Sequence, residues 1–592
     1  MMRSFERFPN LVTMFFTRAA EKGDAPFLWA KEDGQWQALS WAEAARRVAS
    51  LAAALRAQGL KDGDRVVLVS ENRPEFCIAD LAIMAAGCVT VPTYTTNTER
   101  DHTHILENSG ARAAIVSTTK LAQVLLSAIV RSSTCEFLIG MEPMPQTAVR
   151  TLDFATLAGD PSADVQAAAA TAADVRREDL ACLIYTSGTG GAPRGVRQHH
   201  GAILCNVEGC LDILQADFGW GDEVFLSFLP LSHAYEHSGG QFLPIGLGGQ
   251  IYYAEGLEKL AANIEEVRPT IMVVVPRLFE MLRARLIKAV EKQGGIGKKL
   301  LDKALELGTR EKLRLTDYPY KLAIDALLKP KVQKRFGGRI KALVSGGAPL
   351  NPEVGQFFSS LGLTLLQGYG QTESGPVVSC NRPRVGIKLD TVGPPMKGVE
   401  VRIAEDGEIL IRGELVMAGY WRNEAETERV LKDGWLHSGD VGHLDEKGRL
   451  KITDRKKDLI VNDKGDNVAP QKLEGMLTLQ PEIAQAMVSG DRRPYIVGLI
   501  VPDQEWLAGW AAERGLSPEL AKLRDNPDLH RALMAAVDRV NVDLSVIEKV
   551  RRIVIADEPF SIANEQMTPS LKNRRHAIRA VYGERLDALY RA

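Results

Sequence analysis

Ile184-Tyr185-Thr186-Ser187-Gly188-Thr189-Gly190-Gly191-Ala192-Pro193-Arg194-Gly195-Val196 is the stretch on which the reading of this chain turns. A short apolar run ending at Tyr185 gives way abruptly to hydroxyls, glycines and one cation. Glycines let the backbone turn and bring N–H groups close to an anion, Thr and Ser hydroxyls add neutral donors, and Arg194 adds positive charge. The composition is that of a phosphate cradle. It is not a P-loop, because no Gly-Lys-Ser/Thr tripeptide follows at the required offset. Taken alone, a Gly/Ser-rich surface turn has the same appearance, so the meaning of the stretch depends on what surrounds it.

On either side, strands alternate with helices. Residues 41–58 carry apolar side chains at helical spacing (Ala44, Val48, Leu51, Leu55) and stop at Gly59. Strands are predicted at 65–69, 88–92 and 113–116, with helices over 74–86 and 103–109. Past the glycine-rich stretch come a helix at 201–214, a strand at 224–227, a helix at 257–267 and a strand at 271–275. Each strand is nearly all apolar, which indicates parallel sheets covered on both faces. The expectation is a doubly wound α/β lobe of two layered sheets, with ligands at the carboxyl ends of strands. Residues 283–334, rich in Lys, Arg, Leu and Ala, read as a helical insertion; packing against the α/β lobe is the expected role, with a membrane surface as the alternative. Strands return at 340–344 and 364–367. Short strands at 399–403, 408–412 and 449–453, with turns at Asp406-Gly407 and Lys447-Gly448, read as a small β-subdomain.

Length and composition bound the function. A chain of 592 residues exceeds one core at ~100–200 residues per domain. A formal net charge of −2 gives no electrostatic case for binding nucleic acid. Seven cysteines without a Cys-x-x-Cys pair read as reduced thiols in a cytoplasmic protein. The apolar residues at 11–16 are too few for a signal peptide, and no run approaches the roughly 18 apolar residues of a membrane span.

Four further stretches have the composition of a nucleotide site. Ser345-Gly346-Gly347-Ala348-Pro349 follows a strand, and its small residues would let a flat base lie against bare backbone. Gln367-Gly368-Tyr369-Gly370-Gln371-Thr372-Glu373 sets an aromatic ring, a hydroxyl and a carboxylate close together, for stacking, for an oxyanion and for Mg²⁺ beside phosphates. Trp435-Leu436-His437-Ser438-Gly439-Asp440 ends in an acid suited to a ribose diol. Lys572, after a turn near the terminus, can donate to a developing negative charge. Each alone is more often a turn, a solvated acid or a basic helix start; their joint order is what defeats that reading.

In that order the motifs resemble those of the adenylate-forming (AMP-binding) enzymes, and within them the long-chain fatty acyl-CoA synthetases, over residues 27–582. Residues 185–196 look like the family's phosphate loop, 369–373 like its Tyr-Gly-x-Thr-Glu motif, 438–440 like its ribose-binding Asp motif, 454–465 like its hinge and 568–572 like its catalytic-lysine segment. The resemblance implies an α/β fold: a large N-terminal domain (residues 1–453) of two layered doubly wound subdomains plus a small β-barrel subdomain (386–453), a hinge at 454–457, and a smaller mobile α+β C-terminal domain (458–592). It implies ATP and Mg²⁺ as cofactors, CoA as co-substrate and a fatty acid of long or medium chain as substrate. Thr186, Ser187 and Thr189, with Gly188, Gly190, Gly191 and Arg194, would hold the triphosphate. Glu373, with Thr189, would hold the metal. Gly347, Ala348, Pro349 and Tyr369, in the run with Gln367, Gly368, Gly370 and Gln371, would form the adenine slot. Asp440 and Arg455 would take the ribose, Thr372 the α-phosphate, and Lys572 would bridge carboxylate and α-phosphate. His233 matches a gate beside the reacting carboxylate. Peripheral membrane contact and a homodimer stay open.

Two positions depart from the family pattern: Gly190 stands where Thr is usual, and Arg194 where Lys is usual. Arg binds phosphate as a planar fork rather than a point charge, and the hydroxyl missing at residue 190 removes a donor worth about 1 kcal/mol. Lys464 receives no role in thioester formation, because residues 459–470 run one residue longer than in shorter-chain relatives. The rival readings are a ligase for another carboxylic acid or for a carrier-protein acceptor, and a degenerate nucleotide-binding or membrane-docking homologue without catalysis.

Overall fold

The computed structural model describes the whole chain except residues 1–5, 146, 187–191, 294, 309, 311–313, 457–458, 465, 569–571 and 592. Two sheets dominate it. The first runs Arg150–Asp153, Phe137–Gly140, Ala113–Val116, Arg65–Val69, Val89–Thr93, Leu180–Thr186, Arg194–His199. Its neighbours are parallel up to the last pair, an antiparallel hairpin in which Thr186 faces Arg194. The second runs Val377–Cys380, Leu365–Gly370, Ala342–Ser345, Ile271–Val274, Val224–Ser227, Gln250–Tyr253, Pro26–Glu32, Gln35–Ser40, parallel inside and antiparallel at both ends. Helices cover both faces, so strands such as Ala113–Val116, Phe137–Gly140, Val224–Ser227 and Ile271–Val274 are buried at every residue. That is why they read as apolar runs rather than alternations.

Element ends differ from expectation where capping decides them. The helix expected over 103–109 begins at Glu99, because Thr98 and Asp101 cap each other's backbone N–H groups. The apolar N-terminal segment is a core helix, Leu11–Lys22, capped by Asn10. The insertion comprises the helices Pro276–Gln293 and Gly295–Gly308, then Tyr318–Ala323 continuing through π-helical Ile324–Leu328 into Lys329–Arg335. Leu300, Leu301, Ala304 and Leu307 join the core around Phe357 and Phe358.

Glu400–Ile403, Glu408–Arg412, Leu431–Lys432, Trp435–Leu444 and Leu450–Arg455 form an antiparallel sheet turning at Gly407 and Gly448, both in the left-handed region. Among the described residues these strands pair along an open path, where the resemblance implied a closed barrel; the edge strand Glu400–Ile403 alternates exposed and half-buried residues. The C-terminal part carries its own sheet, Ile483–Ser489, Ile496–Pro502 and Val550–Ile555, and its own cores around Leu533 and Tyr582. Among the described residues no helix is long and apolar enough to cross a membrane.

Candidate active site

The carboxyl ends of Ala342–Ser345 and Leu365–Gly370 open into a cleft of about 2010 Å³ that the five-stranded sheet and the C-terminal part also line, the position expected for a ligand of a parallel sheet. Gly346, Gly347, Ala348 and Pro349 form one wall. A Cβ on Gly346 would lie 2.7 Å from the Tyr235 ring. That ring therefore sits against bare backbone, and its hydroxyl donates to the Val344 carbonyl at 2.9 Å. Behind it, buried Glu236 accepts from the Ser227 hydroxyl at 2.6 Å, and burial pushes its carboxyl up to about 8 against that bond.

Gln367, Gly368, Tyr369, Gly370 and Gln371 continue the wall. The Tyr369 hydroxyl donates to Asp440 Oδ2 at 2.6 Å, and Arg455 Nε lies 3.3 Å from Oδ1. Burial first and the Asp440 charge second hold the phenol well above its usual range, so it remains a donor. Asp440 is presented by its own turn: its N–H reaches Ser438 Oγ at 3.1 Å, and the neighbouring Gly439 N–H is taken by Glu408 at 2.8 Å. Glu408 also accepts from Lys456 at 2.9 Å, which ties the segment after Arg455 to this sheet.

Thr372 and Glu373 begin the short 3₁₀ turn Thr372–Ser374. Gln198 donates to the Thr372 carbonyl, and the Tyr420 hydroxyl donates to Glu373 Oε1 at 2.8 Å. Arg194 lies over the same Tyr420 ring, 4.8 Å from its centroid, and pairs with Glu426. Arg429, bonded to Glu426 at 2.6 Å and 2.7 Å, and then the Arg194 charge hold the Glu426 carboxyl down to about 2. Arg194 thus lines the cleft from a strand, with its guanidinium engaged by protein. Thr186 lines the cleft as well. Ser187, Gly188, Thr189, Gly190 and Gly191 lie outside the described residues.

Lys572 enters from the C-terminal part. Its N–H donates to Thr568 Oγ1 at 3.0 Å and its carbonyl accepts from the Thr568 N–H at 2.8 Å. Arg575 anchors the following helix by two 2.6 Å bonds to Glu474. The Lys572 ammonium acts on His233, whose pKa falls to about 3 through burial first and this cation second. The imidazole is therefore neutral at physiological pH, and its Nδ1 accepts the Tyr235 N–H at 3.2 Å.

One wall of the cleft is apolar. Ile271 and Val273, Ala342 and Val344, Leu366 and Gly368 are alternate residues on three adjacent strands, so they present one face. Ile213, Phe218 and Leu243 close over it from helices. Among the described residues no group of three or more His, Cys, Asp or Glu stands ready to hold a metal. A single carboxylate, Glu373, fits Mg²⁺, which binds through one or two carboxylates plus phosphates rather than an all-protein cage.

Sequence reasoning missed Tyr235, Gln198, Tyr420 and Glu426. Each meets its partner only through the tertiary fold, and Glu426 is hidden among Glu424 and Glu428.

Residues 15–421 match the family model of AMP-binding enzymes, and residues 457–592 that of the AMP-binding enzyme C-terminal domain. A long-chain-fatty-acid–CoA ligase of Mycobacterium tuberculosis is 33% identical, over 98% of this chain and 97% of that one. The peroxisomal long chain acyl-CoA synthetase 7 of Arabidopsis thaliana is 29% identical over 94% of this chain and 82% of its own. Among solved structures, the A domain of a carboxylic acid reductase from Segniliparus rugosus, in complex with AMP and a co-purified carboxylic acid, superposes with a TM-score of 0.76 at 21% identity, covering 98% of this chain and 94% of that one. That likeness shows the fold.

Proposed function

The chain belongs to the AMP-binding enzymes, in their long-chain-fatty-acid–CoA ligase branch, and on that premise we propose that it joins a fatty acid to the α-phosphate of ATP, releasing pyrophosphate, and then transfers the acyl group to CoA. The observation that carries this reading is one cleft with two halves: a polar end bearing Tyr369, Asp440, Arg455 and Lys572, continuous with an apolar wall from three strands and two helices. The wall suits an alkyl chain, whose burial contributes about 0.8 kcal/mol per methylene.

In this reading Gly347, Ala348, Pro349 and Tyr369 take the adenine, Asp440 and Arg455 the ribose, Thr372 the α-phosphate and Thr186 the outer phosphates. Glu373 would hold Mg²⁺, which when bound supplies positive charge beside the phosphates. Carboxylate and phosphate are both anions, so the first step needs their repulsion offset and their atoms aligned. Lys572 supplies a cation at the junction. His233, kept neutral by burial and by that cation, shapes the carboxylate site without adding charge. Arg194 acts here as a brace rather than a phosphate ligand: it fixes Tyr420, which fixes Glu373.

The second step needs room at the same carbonyl for a thiol. In this reading Lys572 fills that room during the first step, so the C-terminal part turns away for the second, about a hinge at residues 454–457. The test is pyrophosphate release from ATP with acetate, decanoate, hexadecanoate and benzoate in turn, followed by CoA. Release should be greatest with hexadecanoate and end in a thioester. A preference for benzoate would establish the aromatic-acid reading, release without thioester a different acceptor, and no release with any acid the non-catalytic reading.

A further inference from the structure

The helix Pro276–Gln293 leaves the strand Ile271–Val274 at its carboxyl end, so its first turn stands beside the apolar wall. Arg277, in that turn, lines the cleft, yet its guanidinium reaches the C-terminal part: Nη2 donates to the Ala484 carbonyl at 2.7 Å, while Nη1 meets Glu280 Oε2 at 2.9 Å. That carbonyl belongs to no ladder. In the pairing of Ile483–Ser489 with Ile496–Pro502, Ile483 faces Pro502 and Gln485 faces Val501, so Ala484 is the extra residue of a bulge. The extra residue of a bulge is left unpaired by its partner strand, and here its carbonyl is taken by an arginine 207 residues away.

The strand that carries the bulge also holds the residues around Lys572. Gln485, next to Ala484, donates to the Phe560 carbonyl at 2.9 Å and accepts the Phe560 N–H at 2.8 Å. The Ala486 carbonyl accepts from Asn573, the neighbour of Lys572, at 3.0 Å, and the Val488 carbonyl accepts from Arg575 at 3.2 Å. The bond made by Arg277 is therefore joined through one strand to the backbone that presents the lysine. Two further contacts span the same gap. Leu479, shortly before the strand, packs against the core that contains Leu278 and Phe279. Lys288, three turns beyond Arg277 on the same side of the helix, pairs with Glu505; both are exposed and solvent screens them, so this pair contributes little.

We propose that Arg277 is a positioning residue for the first half-reaction: its bond to the bulged Ala484 carbonyl, together with Leu479 on the N-terminal core, holds the C-terminal part where Lys572 meets carboxylate and α-phosphate. The proposal rests on the two-step ligase reading and adds which contact selects the step. Arg277 touches no reacting atom. Its bond is made in the first arrangement and given up when the C-terminal part turns, so losing it shifts the balance between the two by whatever the bond contributes. The half-reactions should then respond differently, the first falling and the second not. A residue that only stabilised the fold would lower both.

The test separates the half-reactions in Arg277→Ala and, from the other side of the gap, in Leu479→Ser, which carries the test alone should Arg277→Ala not fold. Pyrophosphate release from ATP and hexadecanoate should fall about ten-fold in each, whereas thioester formation from supplied hexadecanoyl adenylate and CoA should hold or rise. Arg277→Lys keeps a donor for the carbonyl but loses the fork that also meets Glu280, so release should recover to within about three-fold of wild type. Hydrogen exchange over residues 477–485 should quicken in Arg277→Ala while the strand Ile271–Val274 stays protected. With wild type active, equal loss of both half-reactions, unchanged release, unchanged exchange, or no rescue by lysine would overturn the proposal and leave the ligase reading standing. No release from wild type with any acid would overturn both.

Discussion

Tyr369→Phe removes one oxygen and leaves the ring that would stack on adenine. The lost hydroxyl is 2.6 Å from Asp440 Oδ2, and both residues are buried. A hydrogen bond to a charged group contributes about 1.5–3 kcal/mol net. Arg455, a second partner, is 3.3 Å away with its side chain 47% exposed, so solvent screens it and it substitutes poorly. If Asp440 receives the ribose hydroxyls, an Asp440 left without its better partner should weaken ATP by about 1.5–2 kcal/mol, toward the lower end because Arg455 stays. That is a rise of about 10–30-fold in the KM for ATP. The KM for the fatty acid, which lies along the apolar wall, should move less than about three-fold.

The assay is initial-rate pyrophosphate release with ATP varied at saturating acid, repeated with 2′-deoxy-ATP. The deoxynucleotide already lacks one hydroxyl for Asp440, so the substitution should cost it less. Two results would refute the reasoning. An unchanged KM for ATP alongside a lowered Tm would make the Tyr369–Asp440 bond a matter of stability only. Equal penalties for ATP and 2′-deoxy-ATP would remove the ribose from Asp440.

Lys572→Ala should slow pyrophosphate release by about 10²–10³-fold, while thioester formation from a supplied acyl adenylate stays within about three-fold; equal loss in both steps would contradict rotation of the C-terminal part. Glu426→Gln should loosen Arg194 and Tyr420 and lower the Tm at neutral pH. The Glu426 carboxyl is held down to about 2 against an ordinary 4.5, so its contribution is complete above pH 4.5 and lost as pH falls toward 2. The Tm gap between wild type and variant should narrow across that window, and a constant gap would show that the carboxylate charge is not what holds the brace. Glu236 has the opposite sign. Burial raises it to about 8 from 4.5, so the folded state keeps a proton that the unfolded state releases, and stability falls as pH rises from 4.5 to 8. Glu236→Gln should flatten that decline in urea titrations across pH; an unaltered slope would assign the decline elsewhere.

The parts of the fold legible in the sequence are those whose signal is local. A strand buried on both faces must be apolar throughout, so Ile271–Val274 declares itself, and a hairpin needing a left-handed residue declares itself at Gly407. The same holds within the site for Tyr369, Thr372 and Glu373, which lie within five residues where a strand ends and a short turn begins. What holds those side chains in place was not legible, because it arrives from far along the chain: Tyr420 reaches Glu373 across 47 residues and Gln198 reaches Thr372 across 174. No local pattern marks a tyrosine or glutamine as the one that will be there.

Arg194 shows the limit most clearly, because its local setting says nothing of its partners in the fold. Beside a glycine-rich stretch, a cation reads as a phosphate ligand, and an arginine where lysine is usual reads as a weakened one. In the fold the guanidinium lies over the Tyr420 ring and pairs with Glu426, 232 residues away. A planar, weakly hydrated fork can stack on an aromatic face and meet a carboxylate at its edge together, whereas an ammonium acts as a compact point charge and cannot divide itself between the two so well. Arginine at this position and glutamate at 426 are therefore physically matched. The departure at residue 194 thus also supplies half of a brace that reaches Glu373 through Tyr420.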